Sequence, residues 1–95
     1  MSATWVNTTI DGVISKVKSI LYSLTITPDS STNVANCTLY NGENATEEAI
    51  GSFYSGAGRS NQIVFNPPLI CSRGIYLDAG SNVGSIVIQY DVIKE

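Results

Sequence analysis

Apolar and polar residues alternate along most of this chain. The clearest stretches are residues 20–26 and 86–92, in which the even-numbered side chains are apolar. A period of two is typical of β-strands that bury one face of a sheet, so these side chains are predicted to face the core. A change of phase between Val17 and Ile20 predicts a bulge or bend near 18–19. One helical turn is favoured at 47–49, and the glycines after it stop any continuation.

Turn signals divide the pattern into seven or eight short strands. Besides the two stretches above, strands are predicted at 12–17, 34–40, 53–54, 61–65 and 75–77. Pro, Gly, Asn, Asp and Ser cluster between them, as they do in turns. Pro67-Pro68 is predicted to end the strand before it, because neither proline can donate a ladder hydrogen bond. Such spacing predicts an all-β fold, an antiparallel β-sandwich or jelly roll.

The length of 95 residues restricts the chain to one small domain. Folding at this size buries only about 60–65% of the unfolded surface, so oligomerisation would add stability. Residues 12–95 are predicted to form the sandwich and residues 1–11 an extended N-terminal arm. The arm carries Trp5, Val6 and Ile10, which predicts that it docks on a neighbouring subunit. Alternatively, Trp5 packs over one end of its own sandwich.

Charged residues are sparse, at 14% of the chain, and the net charge is −3. A polar but weakly charged surface suits close packing beside identical copies. The five lysines and arginines are scattered, so no basic surface for nucleic acid is expected. The chain opens without the pattern of a signal peptide, and its apolar runs are far too short to span a bilayer. We therefore expect a soluble chain that is made in a cytoplasm and has no membrane partner.

Residue types that carry catalysis are scarce. The chain contains no histidine, which removes the commonest general base and metal ligand. Glu47 and Glu48 are adjacent and point in different directions in either a strand or a helix. The glycine-rich segment 55–61 lacks the spacing of a phosphate-binding loop. We expect no enzyme activity, no cofactor and no small-molecule substrate.

Two cysteines, Cys37 and Cys71, lie within apolar alternations. We interpret them as reduced thiols in the core, since buried cysteine behaves as a small hydrophobic residue. A disulfide between them stays an alternative. A metal site is not expected, because no histidine or third cysteine completes the ligand set.

Several polar and aromatic residues are candidates for contacts with a partner. Arg59, in the loop 56–61, and Arg73, in the turn 72–73, can form bidentate pairs with carboxylates. The alternative is that both are solvated loop side chains. Tyr40, Tyr54 and Tyr76 do not follow the core phase as clearly as the other tyrosines, and an alternative hypothesis makes them a stacking platform for sugars.

The order of strand and turn motifs over residues 12–93 has a counterpart among known proteins. The motifs are VKSILYSLTI (17–26), CTLYNGENATEEAI (37–50), FNPPL (65–69), GIYL (74–77) and VIQY (87–90). This order resembles short virion proteins of tailed bacteriophages that decorate or cement the capsid. The resemblance implies a β-sandwich or jelly-roll module on the capsid surface of the virion, made in the host cytoplasm. It implies a homotrimer bound to the major capsid protein, with a tail or fibre accessory as the alternative, and it supplies no catalytic residues.

Overall fold

The computed structural model describes residues 4–93, and every regular element within them is a β-strand. The eight strands are β1 (Thr4–Thr8), β2 (Gly12–Ser15), β3 (Ser19–Pro28), β4 (Asn36–Asn41), β5 (Glu48–Tyr54), β6 (Asn61–Cys71), β7 (Ile75–Ala79) and β8 (Val83–Val92). The predicted all-β class is therefore confirmed. The helical turn predicted at 47–49 was wrong, because the backbone from Glu48 onward pairs with β4. Within these residues no helix is long and apolar enough to cross a membrane.

The strands form two four-stranded antiparallel sheets that pack against each other. Sheet A has the order β1-β8-β3-β6, and sheet B has the order β2-β7-β4-β5. Each strand pairs with its counterpart from the other end of the chain, so that β1 joins β8, β2 joins β7, β3 joins β6 and β4 joins β5. This nested pairing results when one long hairpin is wound into two sheets. It is a jelly roll, one of the two architectures predicted.

The core lies between the two sheets and contains the inward residues of the central strands. In sheet A, Leu24 lies opposite Ile88, and in sheet B, Leu39 lies opposite Leu77. All four side chains are fully buried. Each such side chain contributes about 1.5–3 kcal/mol relative to an exposed position. Of the inward positions predicted in β8, only Val92 is exposed.

A bulge in β3 changes which side chains reach the core. The register of β3 shifts between Leu21 and Ser23 against both of its neighbours, β6 and β8. As a result Leu21 and Leu24 both point inward and are fully buried. The inward orientation predicted for Ile20 and Tyr22 was wrong, because a bulge lies at Tyr22. The bulge or bend predicted near 18–19 falls close to a bend at residues 16–17, between β2 and β3.

The two prolines of β6 do not end the strand, as the sequence had predicted. β6 runs without interruption to Cys71 and is an edge strand of sheet A. Leu21 of β3 pairs with Leu69 of β6, and Ser23 pairs with Val64, so β6 advances by five residues while β3 advances by two. Pro67-Pro68 therefore lies inside a wide bulge on an edge, where a missing backbone donor costs no ladder hydrogen bond.

The predicted arm is in part a strand of the sandwich. Residues 4–8 form β1 and pair with β8 along their whole length. The boundary predicted at residue 11 was therefore wrong for this segment, while residues 1–3 lie outside the described residues. The alternating TWVNT sequence suits an edge strand, and pairing satisfies backbone groups that would otherwise need water.

We predict that Gly74 is required by its backbone conformation. Gly74 has φ +119°, and a Cβ built there would overlap the carbonyl oxygen of Ser15. Gly74→Ala should lower the free energy of unfolding by about 2 kcal/mol, measured by urea denaturation. Gly12→Ala is the matched control, because no heavy atom lies within 4 Å of its Cβ position. Its effect should stay within about 0.5 kcal/mol, and equal losses at both glycines would contradict the prediction.

Candidate functional site

The acidic side chains do not converge on a reaction centre. Among residues 4–93 no three His, Cys, Asp or Glu side chains lie close enough together to hold a metal ion. Glu47 is paired with Arg73 at 3.3 Å on the surface, whereas Glu48 opens β5. The adjacent glutamates therefore have separate structural positions, and the surfaces of the two sheets are the remaining candidates for a site.

The outward side of sheet A carries three large apolar side chains that are exposed. Directly opposed residues on antiparallel strands share a face, so the pairing defines its rows. One row crosses all four strands in the order Trp5, Gln89, Ser23 and Val64. Trp5 and Val64 are each 65% exposed, and Ile70 is 56% exposed. We name this surface the outer face of sheet A; its members are Trp5, Asn7, Ile20, Tyr22, Ser23, Thr25, Thr27, Gln62, Val64, Ile70, Ser85, Val87, Gln89 and Asp91.

The outer face of sheet A is almost without charge. Asp91 is the single charged residue in the four strands of the sheet. The Tyr22 hydroxyl donates a hydrogen bond to the Asp91 carboxylate at 3.2 Å, and the Thr4 backbone N–H donates another at 3.3 Å. Desolvation and the nearby Asp91 raise the pKa of Tyr22, so its hydroxyl stays a donor at neutral pH. The one charge of the face is therefore already hydrogen-bonded within the chain.

Other polar groups of this face pair with each other. Ser23 Oγ donates to Gln89 Oε1 at 2.7 Å, and Ser23 is buried although it points outward. Thr27 and Ser60 share a hydrogen bond of 2.8 Å at the end of the sheet. A polar group with a partner loses less free energy when water is removed than one without. The face can therefore be covered by another surface at low cost.

The residues predicted in the arm do not form one contact surface. Trp5 lies on the outer face of sheet A, and so it does not pack over an end of the sandwich. Val6 points to the opposite side and packs against the core. Ile10 lies in the loop between β1 and β2 and is 72% exposed. Of the three, only Trp5 belongs to the candidate surface.

The two predicted arginines lie at opposite ends of β6. Arg59 is in the loop before the strand, where its backbone N–H donates to the carbonyl oxygen of Gly56. Arg73 follows the strand and pairs with Glu47, and its backbone N–H donates a hydrogen bond to Asn41 Oδ1 at 2.9 Å. This exposed ion pair joins two loops and contributes about 0–1 kcal/mol. Because the whole of β6 separates them, Arg59 and Arg73 do not belong to one contact site.

The three predicted tyrosines share the outward side of sheet B, although they are not all adjacent. Tyr40 and Tyr76 lie opposite each other on β4 and β7, with ring centroids 6.3 Å apart and planes tilted by 55°. Tyr54 lies opposite Asn36 at the other end of β4. Four residues of strand place it about 13 Å from Tyr40. The structure thus assembles two of the three rings.

Sequence reasoning missed Val64 and Ile70 as surface residues. Because Pro67-Pro68 predicts the end of a strand, the continuation of β6 to Cys71 was not expected. The segments that became β1, β3, β6 and β8 contain one charged residue, and those that became sheet B contain two. Low charge along the chain therefore indicated weakly charged sheets but did not distinguish sheet A.

Comparisons with protein-family models, curated proteins and solved structures found no match to this chain. No family is therefore assigned to it. The resemblance to phage virion proteins stays a prediction from the sequence.

The two cysteines are free and buried, which confirms their interpretation as core thiols. Cys37 lies on β4 in sheet B, and Cys71 ends β6 in sheet A. Burial raises the pKa of each thiol to about 11, and for Cys37 the Asp78 carboxylate adds to the effect. Both thiols are therefore neutral and poor nucleophiles at physiological pH.

We predict that the folded protein loses stability between about pH 9 and pH 11. Unfolded thiols ionise near the lower value, while the folded thiols keep their protons up to about 11. The unfolded state therefore binds fewer protons in this window, and the free energy of unfolding falls as pH rises, by roughly 2 kcal/mol per thiol. Urea denaturation at several pH values measures the slope. The control is the variant with Cys37→Ala and Cys71→Ala, and an equal slope in that variant would contradict the assignment to these thiols.

Proposed function

We propose that this chain is a non-enzymatic structural protein that docks on other protein subunits through the outer face of sheet A. One observation carries the proposal: this face exposes Trp5, Val64 and Ile70 on a sheet whose strands hold one charged residue. The apolar side chains stand among neutral polar ones, such as Gln89 and Ser23, so the support comes from the combination of exposed apolar residues with an almost uncharged face. Trp is also among the residues that most often anchor protein interfaces.

The finer proposal is a capsid decoration protein of a tailed bacteriophage. It would be made in the host cytoplasm and would lie on the capsid surface, in contact with the major capsid protein and with copies of itself. The motif order described above supports this, and so does the jelly roll, an architecture that viral capsid proteins use. Several weak contacts in a symmetric assembly add through effective concentration. The count of three copies comes from the resemblance alone, and a tail or fibre accessory is the alternative location.

Mass spectrometry of separated heads and tails tests the location. Particles from the source of this chain would be purified, disrupted and fractionated, and peptides of the chain quantified in each fraction. We expect the chain in the head fraction at a fixed ratio to the major capsid protein. Recovery with the tails would favour the accessory, and absence from both fractions would overturn the virion proposal.

A matched pair of surface variants tests the docking face. Trp5→Ser combined with Val64→Ser should weaken binding to particles at least about tenfold, because two of the three exposed apolar side chains of the face are removed. Tyr54→Ser is the control, since Tyr54 is 58% exposed but lies on the outward side of sheet B. Binding is measured by co-sedimentation with particles that lack the chain. Equal binding of both variants would contradict the assignment of sheet A.

A carbohydrate-binding module is the second candidate, because Tyr40 and Tyr76 lie side by side on the outward side of sheet B. If this is the function, a glycan array identifies a ligand, and Tyr76→Ala weakens its binding about tenfold or more. Val13→Ala is the control, because Val13 is the cross-strand neighbour of Tyr76 on the same face and has no ring. An array without any bound glycan would exclude this candidate.

A further inference from the structure

We infer that a second copy of this chain covers the outer face of sheet A, packed face to face about a two-fold axis parallel to β8 and β3. The inference rests on the proposed function, because it names the protein that covers the face. It goes further by giving the partner, the symmetry and the pairs of residues that meet. Four observations of charge, hydrogen bonding, area and register support it.

The distribution of charge favours an identical partner. The chain has a net charge of −3, so two copies repel each other wherever their charged surfaces approach. Sheet A offers a contact that avoids this, because Asp91 is its one charged strand residue and lies near the end of β8. A strongly basic or acidic partner would find no complementary charges here. A second copy presents the same neutral face.

The polar groups of the face suit an identical partner as well. In a symmetric contact each polar side chain must keep its hydrogen bonds without relying on the other copy. The Ser23–Gln89 and Tyr22–Asp91 pairs meet this requirement within one chain. Among the described residues no buried side-chain nitrogen or oxygen lacks a partner. Covering the face therefore leaves these pairs intact.

The area of the face is sufficient for a specific dimer. The strands β1, β8, β3 and β6 have 5, 10, 10 and 11 residues. With a rise of about 3.3 Å per residue and a strand spacing of about 4.8 Å, they make a surface of roughly 570 Å². Complete coverage would bury roughly 1,100 Å² over the two copies, which exceeds the roughly 1,000 Å² expected of a specific interface.

The register of the sheet determines which residues meet across the axis. Trp5 and Val64 occupy the two ends of one row, on the edge strands β1 and β6. An axis between β8 and β3 places β1 of each copy over β6 of the other. Trp5 of each copy therefore contacts Val64 of the other copy. Gln89 then faces Ser23 of the second copy, and Ser23 faces its Gln89, on either side of the axis. Aligned packing of two sheets at about 30° is a common arrangement.

A contact of this kind is complete with two copies. Each chain uses the same surface in the contact, so neither chain has that surface free to bind a third copy. The structure therefore favours two copies over the three that the resemblance implies. The loops at the ends of the sandwich stay available for the capsid.

Sedimentation velocity of the full chain at micromolar concentration tests the inference. We expect a particle of twice the chain mass of 10.1 kDa. Trp5→Ser should raise the dimer dissociation constant at least about tenfold, whereas Tyr54→Ser should leave it unchanged. A monomer or a trimer for the unchanged protein would overturn the inference, and so would equal effects of the two substitutions.

Disulfide trapping tests the predicted neighbours. The variant with Trp5→Cys and Val64→Cys should form a covalent dimer on mild oxidation, because the two positions meet only between copies. About 14 Å of sheet separates them within one chain. Cys37 and Cys71 are buried and do not compete. The control, Val13→Cys with Tyr54→Cys, should stay monomeric on denaturing gels, and trapping in the control alone would overturn the inference.

The two proposals fail separately in these experiments. A chain that is monomeric in solution, but still needs Trp5 to bind particles, overturns the dimer and leaves the docking function standing. A dimer whose particle binding is unaffected by Trp5→Ser and Val64→Ser overturns the docking of that face on particles and leaves the dimer standing.

Discussion

The antiparallel pairing of β3 with β8 is the interaction on which the rest of this structure depends. These two strands form the centre of sheet A, and β1 and β6 have no other pairing partners in the sheet. Their alternation also divides the side chains of the sheet. Leu24 and Ile88 close the core from one side, while Ser23 and Gln89 form a hydrogen bond on the other. One register therefore creates both the stable interior and the candidate surface.

That surface differs from an ordinary solvated sheet in what it lacks. The four strands of sheet A hold a single carboxylate, and its hydrogen bonds come from within the chain. Most charged residues lie instead in loops or beside sheet B, as Glu47 and Arg73 do. A small domain gains relatively little from its own core, so covering an uncharged sheet with a second protein surface adds stability that the chain alone cannot supply. If the face is covered as proposed, stability and assembly are two results of the same pattern.

Local patterns predicted the β class well, and failed where pairing partners override local preference. Period-two alternation identified β3 and β8, and the apolar setting of Cys37 and Cys71 indicated buried thiols. The prediction that Pro67-Pro68 ends a strand failed because edge position and a bulge remove the need for proline to donate. Residues 4–8 were expected in an arm, since nothing local reveals that the edge of β8 away from β3 is open for a second pairing partner.

By itself the sequence determined the all-β class, the approximate strands, the absence of histidine chemistry and the low charge of four of its segments. These properties depend on residue type and short-range spacing, which are visible along the chain. Only the tertiary structure decided that Trp5 and Val64 lie in one row. They are distant in sequence, and what unites them is the order β1-β8-β3-β6, together with a bulge at Tyr22 that turns Ile20 outward. Strand order follows from how the whole chain packs its apolar residues, and no single segment contains that information.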